Sequence, residues 1–349
     1  MVAPDMPAPT TSNRMDETPY EEMFLDHCEG LLRNAPTPIV MKRQRRSSLS
    51  RFTLGHLLGN VEVYCQLSRG KLQVAYRNPW KMRDLLQANL ISEAIALLGF
   101  TSLPPFYLNT GDKPGQTPAR SNTVFANCSL DGYADVAAPD FVFNGWHEAQ
   151  FVDYDAKARL LAEASATEAV HDRAFWTGRG DIPARAALLE ISLTHAESIE
   201  AVDALPNYDP GRNIYLRNFK PLEEQLAQYR YMIDVEGFGY SGRLKLLLHA
   251  RRAVLVLDRP YREFFQDGLE PFRHYVPVKR WSSDLPDRVE WLRSNPAREA
   301  EIVSEARHFA STRLTRRAAI EAWAGLLERH RDARGELKSG SEHQPRPLS

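Results

Sequence analysis

The stretch YRYMIDVEGFGYSGRLKLLLHARRAVLVLDRPYREFFQDGLEPFRHYVPV, Tyr229–Val278, decides the fold. An apolar run at Tyr231–Val235 predicts a strand. A loop with Gly237, Gly239 and Gly242 follows it, then a helix over Gly242–Ala250. A buried strand, Ala253–Leu257, and another, Tyr275–Val278, complete the stretch. Strands alternating with helices predict a parallel α/β sheet.

The loop has the chemistry of a phosphate cradle. A helix N-terminus offers unpaired N–H groups and about half a positive charge. Glycines let backbone approach a ligand closely. Ser241 is placed to cap the helix, and the planar fork of Arg243 suits a diphosphate. A plain strand-to-helix turn would also use glycines, and Arg243 tilts the reading toward phosphate. The P-loop pattern is absent, whereas Gly237-Phe-Gly239-Tyr-Ser-Gly242 fits the dinucleotide fingerprint, with Asp258 about 20 residues on. Position late in the chain and Arg243 argue against a nicotinamide oxidoreductase, which stays open at this point.

Outward from this block, Asp16–Arg33 has helical apolar spacing, and Val61–Tyr64 and Leu72–Tyr76 read as strands around a Ser-Arg-Gly turn. Met82–Leu98 reads as a helix, Pro139–Asn144 as a short buried strand, Ala174–Thr177 as a strand and Ala184–Ser192 as a helix. Arg288–Leu292, Glu299–Ala310 and Leu314–His330 close the chain as helices. Residues 1–14 and 335–349 read as flexible arms. The division expected is an acceptor domain over 15–200 and a donor domain over 201–334, facing each other across a cleft.

Composition narrows the class. A 43% hydrophobic content over 349 residues suits globular domains, and a net charge of -1 gives no field for nucleic acid. Cys28, Cys65 and Cys128 form no CxxC pair, so neither a zinc site nor a disulfide framework is expected. Without a secretory segment or membrane-length apolar run, the expectation is a cytoplasmic protein. The basic run Lys42, Arg43, Arg45, Arg46, Arg51 reads as a solvated loop, or as contact with an anionic membrane surface.

The central block also resembles glycosyltransferase family 90. The pieces that carry it are Ser241-Gly-Arg243-Leu-Lys245, Glu263-Phe264-Phe265 and Leu269-x-Pro271-x-x-His274-Tyr275-Val276-Pro277-Val278. Weaker support comes from Val289-Glu-Trp-Leu-Arg293 and Ala306-x-x-Phe309-Ala310. The resemblance runs from about Pro139 to Leu314, and the first 130 residues match loosely. It implies a GT-B architecture of two Rossmann-like domains and an inverting, metal-independent transfer from a UDP-sugar, with no cofactor. The acceptor expected is a hydroxyl of a glycan, glycolipid or protein, in lipopolysaccharide or surface polysaccharide synthesis. A non-catalytic nucleotide- or glycan-binding relative is the alternative.

By this resemblance Arg243 is similar to the family's diphosphate-binding arginine, with Ser241, Gly239 and Tyr240 in the same loop. Glu263 corresponds to an acid at the ribose hydroxyls, with Phe264 beside it. Phe175-Trp-Thr-Gly178-Arg179, with Pro183 and Arg185, resembles a second nucleotide-lining loop. The base expected after Asp140-Phe-Val-Phe-Asn144 falls on His147 or Glu148, and this departs from an aspartate in animal members. Glu148 replaces a carboxylate with a carboxylate, and His147 is the better base at neutral pH. Asp153-Tyr-Asp155 mimics a metal motif but runs into a helix, so it reads as surface.

Overall fold

The computed structural model describes residues 19–43, 62–76, 81–115, 123–204, 208–209, 214–215 and 220–341. The arm expected over 1–14, together with Arg45, Arg46 and Arg51 of the basic run, lies outside them.

The first lobe opens with α1 (Pro19–Arg33) and β1 (Ile39–Arg43), then the hairpin β2 (Glu62–Ser68) and β3 (Lys71–Tyr76). Val63, Cys65 and Leu67 alternate inward along β2, the period-2 pattern of a half-buried strand. The hairpin turns through Arg69 and Gly70, both at positive φ (51° and 70°), as a two-residue turn matching strand twist requires. Helix α2 (Lys81–Leu98), β4 (Phe106–Asn109), β5 (Val124–Ala126) and β6 (Val136–Ala137) complete a six-stranded mixed sheet, order β1-β3-β2-β4-β5-β6. Helix α2 is buried on nearly all sides. Its buried polar groups are bonded to the surrounding chain: Gln87 donates to the Pro139 carbonyl (3.0 Å) and Asp84 accepts from Thr110 (2.7 Å).

The second lobe is a five-stranded, all-parallel sheet, order β13-β12-β11-β7-β8. Its strands are β7 (His171–Gly178), β8 (Ile199–Asp203), β11 (Tyr229–Asp234), β12 (Ala253–Leu257) and β13 (Val276–Val278). Every residue of β12, AVLVL, is buried, because helices cover both faces of a parallel sheet. The helices of this lobe are α3 (Tyr154–Ala164), α4 (Pro183–Thr194), α5 (Leu222–Gln228), α6 (Leu244–Leu247), α7 (Leu285–Ser294) and α8 (Pro296–Arg313). A small antiparallel pair, β9 (Tyr208–Asp209) and β10 (Ile214–Tyr215), lies apart.

The last helix, α9 (Arg316–Ser341), returns to the first lobe. Trp323 is fully buried there and donates from its indole to the Pro139 carbonyl at 3.0 Å. Arg316 bonds Asn144 Oδ1 (2.7 Å) and Glu93. Trp323→Ala is therefore expected to cost about 3–5 kcal/mol of stability by cavity formation, read as a shifted midpoint in urea unfolding. No helix among the described residues is long and apolar enough to cross a membrane.

Four expectations change. The two α/β lobes are present, but β7 and β8 pair in the second sheet, so the lobes do not divide near residue 200. Residues 141–144 form a 3₁₀ turn, with Asn144 locked onto the Leu86 carbonyl at 2.7 Å; four apolar residues do not by themselves separate a strand from a buried turn. The helix expected over Gly242–Ala250 is the single turn Leu244–Leu247. The last helix continues through Gly335 to Ser341, seven residues into the expected tail.

Candidate active site

The two lobes enclose a cleft of about 490 Å³. On the second-lobe side, the ends of β7 and β11 deliver three arginines to it. Arg243 Nη1 donates to the Thr177 carbonyl (2.8 Å), and its guanidinium lies 5.9 Å from the Trp176 ring. Arg185, in the first turn of α4, donates to the carbonyls of Glu236 (2.8 Å) and Arg179 (3.2 Å) and lies 5.5 Å from the same ring. Arg179 sits 5.3 Å from the Phe238 ring and pairs with Asp181, whose carboxyl it holds below the usual range. Bonds to backbone carbonyls orient Arg243 and Arg185, and three guanidiniums along one wall give it the chemistry to hold a polyanion. Since α6 is one turn long, these side chains, more than a helix dipole, supply the positive field.

The first-lobe wall carries carboxylates. Arg83, in the first turn of α2, bonds Glu148 (3.0 Å) with one nitrogen and Asp112 (3.1 Å) with another. Burial disfavours its charge, but Glu148 and Asp112 outweigh that and hold the guanidinium protonated. Asp112 sits on a turn tied by Asn109, which accepts from Gly111 N (3.0 Å) and donates to the Lys113 carbonyl (2.8 Å), and by Asn127, which donates to the Gly111 carbonyl (3.1 Å). The Asp112 side chain is 37% exposed and that of Glu148 18%, so Asp112 is the more open of the pair.

Glu148 and His147, the two expected bases, diverge. The loop 145–151 closes on itself through Trp146 N to the Phe151 carbonyl (2.9 Å). Glu148 lines the cleft, whereas the His147 ring packs edge-on against Phe24 of α1 at 5.2 Å. The structure thus brings Glu148, but not His147, to the site.

The glycine loop forms the seam between the lobes. A Cβ on Gly239 would lie 1.6 Å from the Asp112 carbonyl oxygen, and one on Gly242 would lie 2.8 Å from the Trp146 ring. Both are contacts across the cleft that no side chain can enter. Gly239→Ala is expected to force the lobes apart, lowering stability by about 1–3 kcal/mol, read as a shifted midpoint in urea unfolding. Gly178 also lines the cleft, at the end of β7.

Ser241 lines the cleft, yet its hydroxyl donates to Asp234 (2.6 Å), which also accepts from Arg259 (2.6 Å). Tyr240 is buried beside it, and burial, then the Asp140 and Asp112 charges, push its phenol up. Glu263, expected at the ribose hydroxyls, is instead drawn under the loop. Lys245 Nζ bonds it at 2.8 Å and bonds Asp140 at 3.1 Å, all three side chains being essentially buried. Phe264 likewise points away from the cleft, packing on Phe143 (5.9 Å) and Phe265 (5.4 Å). The Lys245–Glu263 pair and the Arg259–Asp234 pair form a floor that fixes Ser241 and the loop above it.

Burial, only partly opposed by Lys245 and Arg259, raises the Glu263 carboxyl from 4.5 to about 7. The folded state therefore holds this proton over a pH range where the unfolded chain has released it. Stability from this group is full below about pH 4.5 and is lost as pH rises through about 7. Glu263→Gln is expected to flatten the dependence of unfolding free energy on pH across that window, measured by urea melts.

Sequence reasoning missed Asp112, Arg83 and Trp146. Asp112 follows β4 in the turn Asn109-Thr-Gly-Asp-Lys113, a signal of strand then polar turn. Such turns are commonly solvated, so the pattern alone gives the acid no priority.

Residues 60–332 match the family described as Glycosyl transferase family 90. Protein O-glucosyltransferase 3 of Homo sapiens is 27% identical over 190 residues, covering 50% of this chain and 36% of the human protein. Protein O-glucosyltransferase 2 of Danio rerio is 25% identical over 222 residues, covering 60% and 43%. The chain thus matches less than half the length of either relative. A glycosyltransferase from Rickettsia africae ESF-5 aligns over 92% of this chain and 84% of its own, at 9% identity and a TM-score of 0.41. The family match takes in the second sheet, all of the first but β1, and both walls of the cleft, and the chain belongs to glycosyl transferase family 90.

Proposed function

We propose that the protein transfers a sugar from a UDP-sugar to a hydroxyl acceptor with inversion at the anomeric carbon. The observation that carries this is the division of the cleft: Arg179, Arg185 and Arg243 on one wall, Asp112 and Glu148 held by Arg83 on the other. The diphosphate lies against the arginines. Asp112, the more open carboxylate, takes the proton from the acceptor hydroxyl, and Glu148 keeps Arg83 in place. The acceptor oxygen bonds to the anomeric carbon as the bond to the diphosphate oxygen breaks on the opposite face. Charge growing on the departing UDP is met by Arg243 and Arg185, a preorganised field that needs no metal.

The names of the relatives favour glucose as the sugar and a protein hydroxyl as the acceptor. A glycan or glycolipid hydroxyl of the cell surface is the other acceptor class. Incubation with labelled UDP-glucose, UDP-galactose or UDP-xylose and each acceptor class tests the reading. Transfer that persists in EDTA is expected, since the arginines supply the charge a metal would. Strict dependence on manganese, or hydrolysis and transfer absent with every donor, counts against it.

A further inference from the structure

Away from the cleft, a second groove of about 500 Å³ runs between α3 and α8. Asp155, Ala158, Arg159 and Ala162 form one stripe along α3, at i, i+3, i+4 and i+7. Ser304, Arg307, His308 and Ser311 form the same stripe along α8. Ala158, Ala162, Ser304 and Ser311 leave the space open, and Arg159 and Arg307 stand among them.

The charge of this groove is unbalanced. Neither Arg159 nor Arg307 has an ion-pair partner among the described residues. The Arg307 Nε is buried with no hydrogen-bond partner among them. Burial and the neighbouring Arg251 both disfavour the Arg307 charge, lowering its pKa. The single acid, Asp155, is already engaged: its Oδ1 accepts from Arg316 N (3.0 Å) at the start of α9. Thr315 caps the same helix by accepting from Ala318 N (3.0 Å), so those amides are not available to a ligand. His249, on the floor, is kept neutral by burial and bonds the Leu314 carbonyl at 3.0 Å.

We propose that this groove binds a phosphate group, held between Arg159 on α3 and Arg307 and His308 on α8. A tetrahedral dianion accepts from the terminal nitrogens of the two guanidiniums that line the groove from its two helices. The groove has room beyond one phosphate, which suits a phosphate ester. An ester's source is either a soluble metabolite or an anionic lipid headgroup, and both present the same group.

Inorganic phosphate is the first probe, added to the full chain at constant ionic strength with chloride as control. A rise in melting temperature that grows with phosphate is expected, and it persists in Arg243→Ala, which removes the cleft's contribution. Arg159→Gln, at an exposed position, and Arg307→Gln each weaken the apparent phosphate affinity about tenfold, while Arg159→Gln binds UDP like the wild type. Co-sedimentation with phosphatidylglycerol vesicles but not phosphatidylcholine vesicles assigns the group to a lipid; a phosphate response without vesicle binding assigns it to a soluble ester. A wild-type response no larger than that to chloride overturns the proposal. So does a response that is unchanged in both Arg159→Gln and Arg307→Gln, or one that vanishes in Arg243→Ala.

Discussion

Asp112→Asn is expected to lower kcat by about 10²–10⁴-fold, the usual contribution of a positioned general base, while leaving UDP affinity nearly unchanged. The substitution keeps the size of the side chain and its bond to Arg83, and removes only the ability to accept a proton. Glu148→Gln has a smaller effect, because the side chain is half as exposed and its structural partner is the same guanidinium. Steady-state kinetics on both variants separates the roles. If Glu148→Gln loses the larger factor, the base is Glu148 and Asp112 is its support.

Arg243→Ala is expected to lower kcat by about 10²–10³-fold, the range seen when one donor to a developing negative charge is removed. UDP affinity is expected to fall with it, because in the proposed mechanism the guanidinium holds the diphosphate before and during transfer. Arg243→Lys restores little. Arg243 Nη1 donates to the Thr177 carbonyl, and an ammonium has no planar fork with which to combine that bond and a bidentate grip on the proposed diphosphate. The split between kcat and KM in the two variants is the readout.

The arginine wall was legible because its residues are local in sequence. Strand, glycine loop, arginine and buried strand follow one another within Tyr229–Leu257, and Arg179 and Arg185 end and follow a neighbouring strand. Gly239 and Gly242 were legible as glycines but not for their cause. They are required by Asp112 and Trp146, each roughly a hundred residues away, and no local pattern reports a contact across a cleft. The facing wall was legible only at Glu148: Arg83 and Asp112, from a helix start and a turn, are brought to it by the fold alone. Neighbours in sequence can also face apart, as His147 and Glu148 do. The position of Glu263 turned on a different quantity, the burial of Lys245. An unpaired lysine inside the lobe would be costly, and Glu263 and Asp140 follow it in.

Isothermal titration of UDP into the wild type and Arg243→Ala, both in EDTA, tests most directly that the arginine wall is a metal-free diphosphate site. The predicted result is one UDP bound per chain in the wild type and affinity weakened about tenfold or more in the variant, with no heat from NAD in either. UDP binding that requires a divalent cation, or equal affinity in the two proteins, would contradict it.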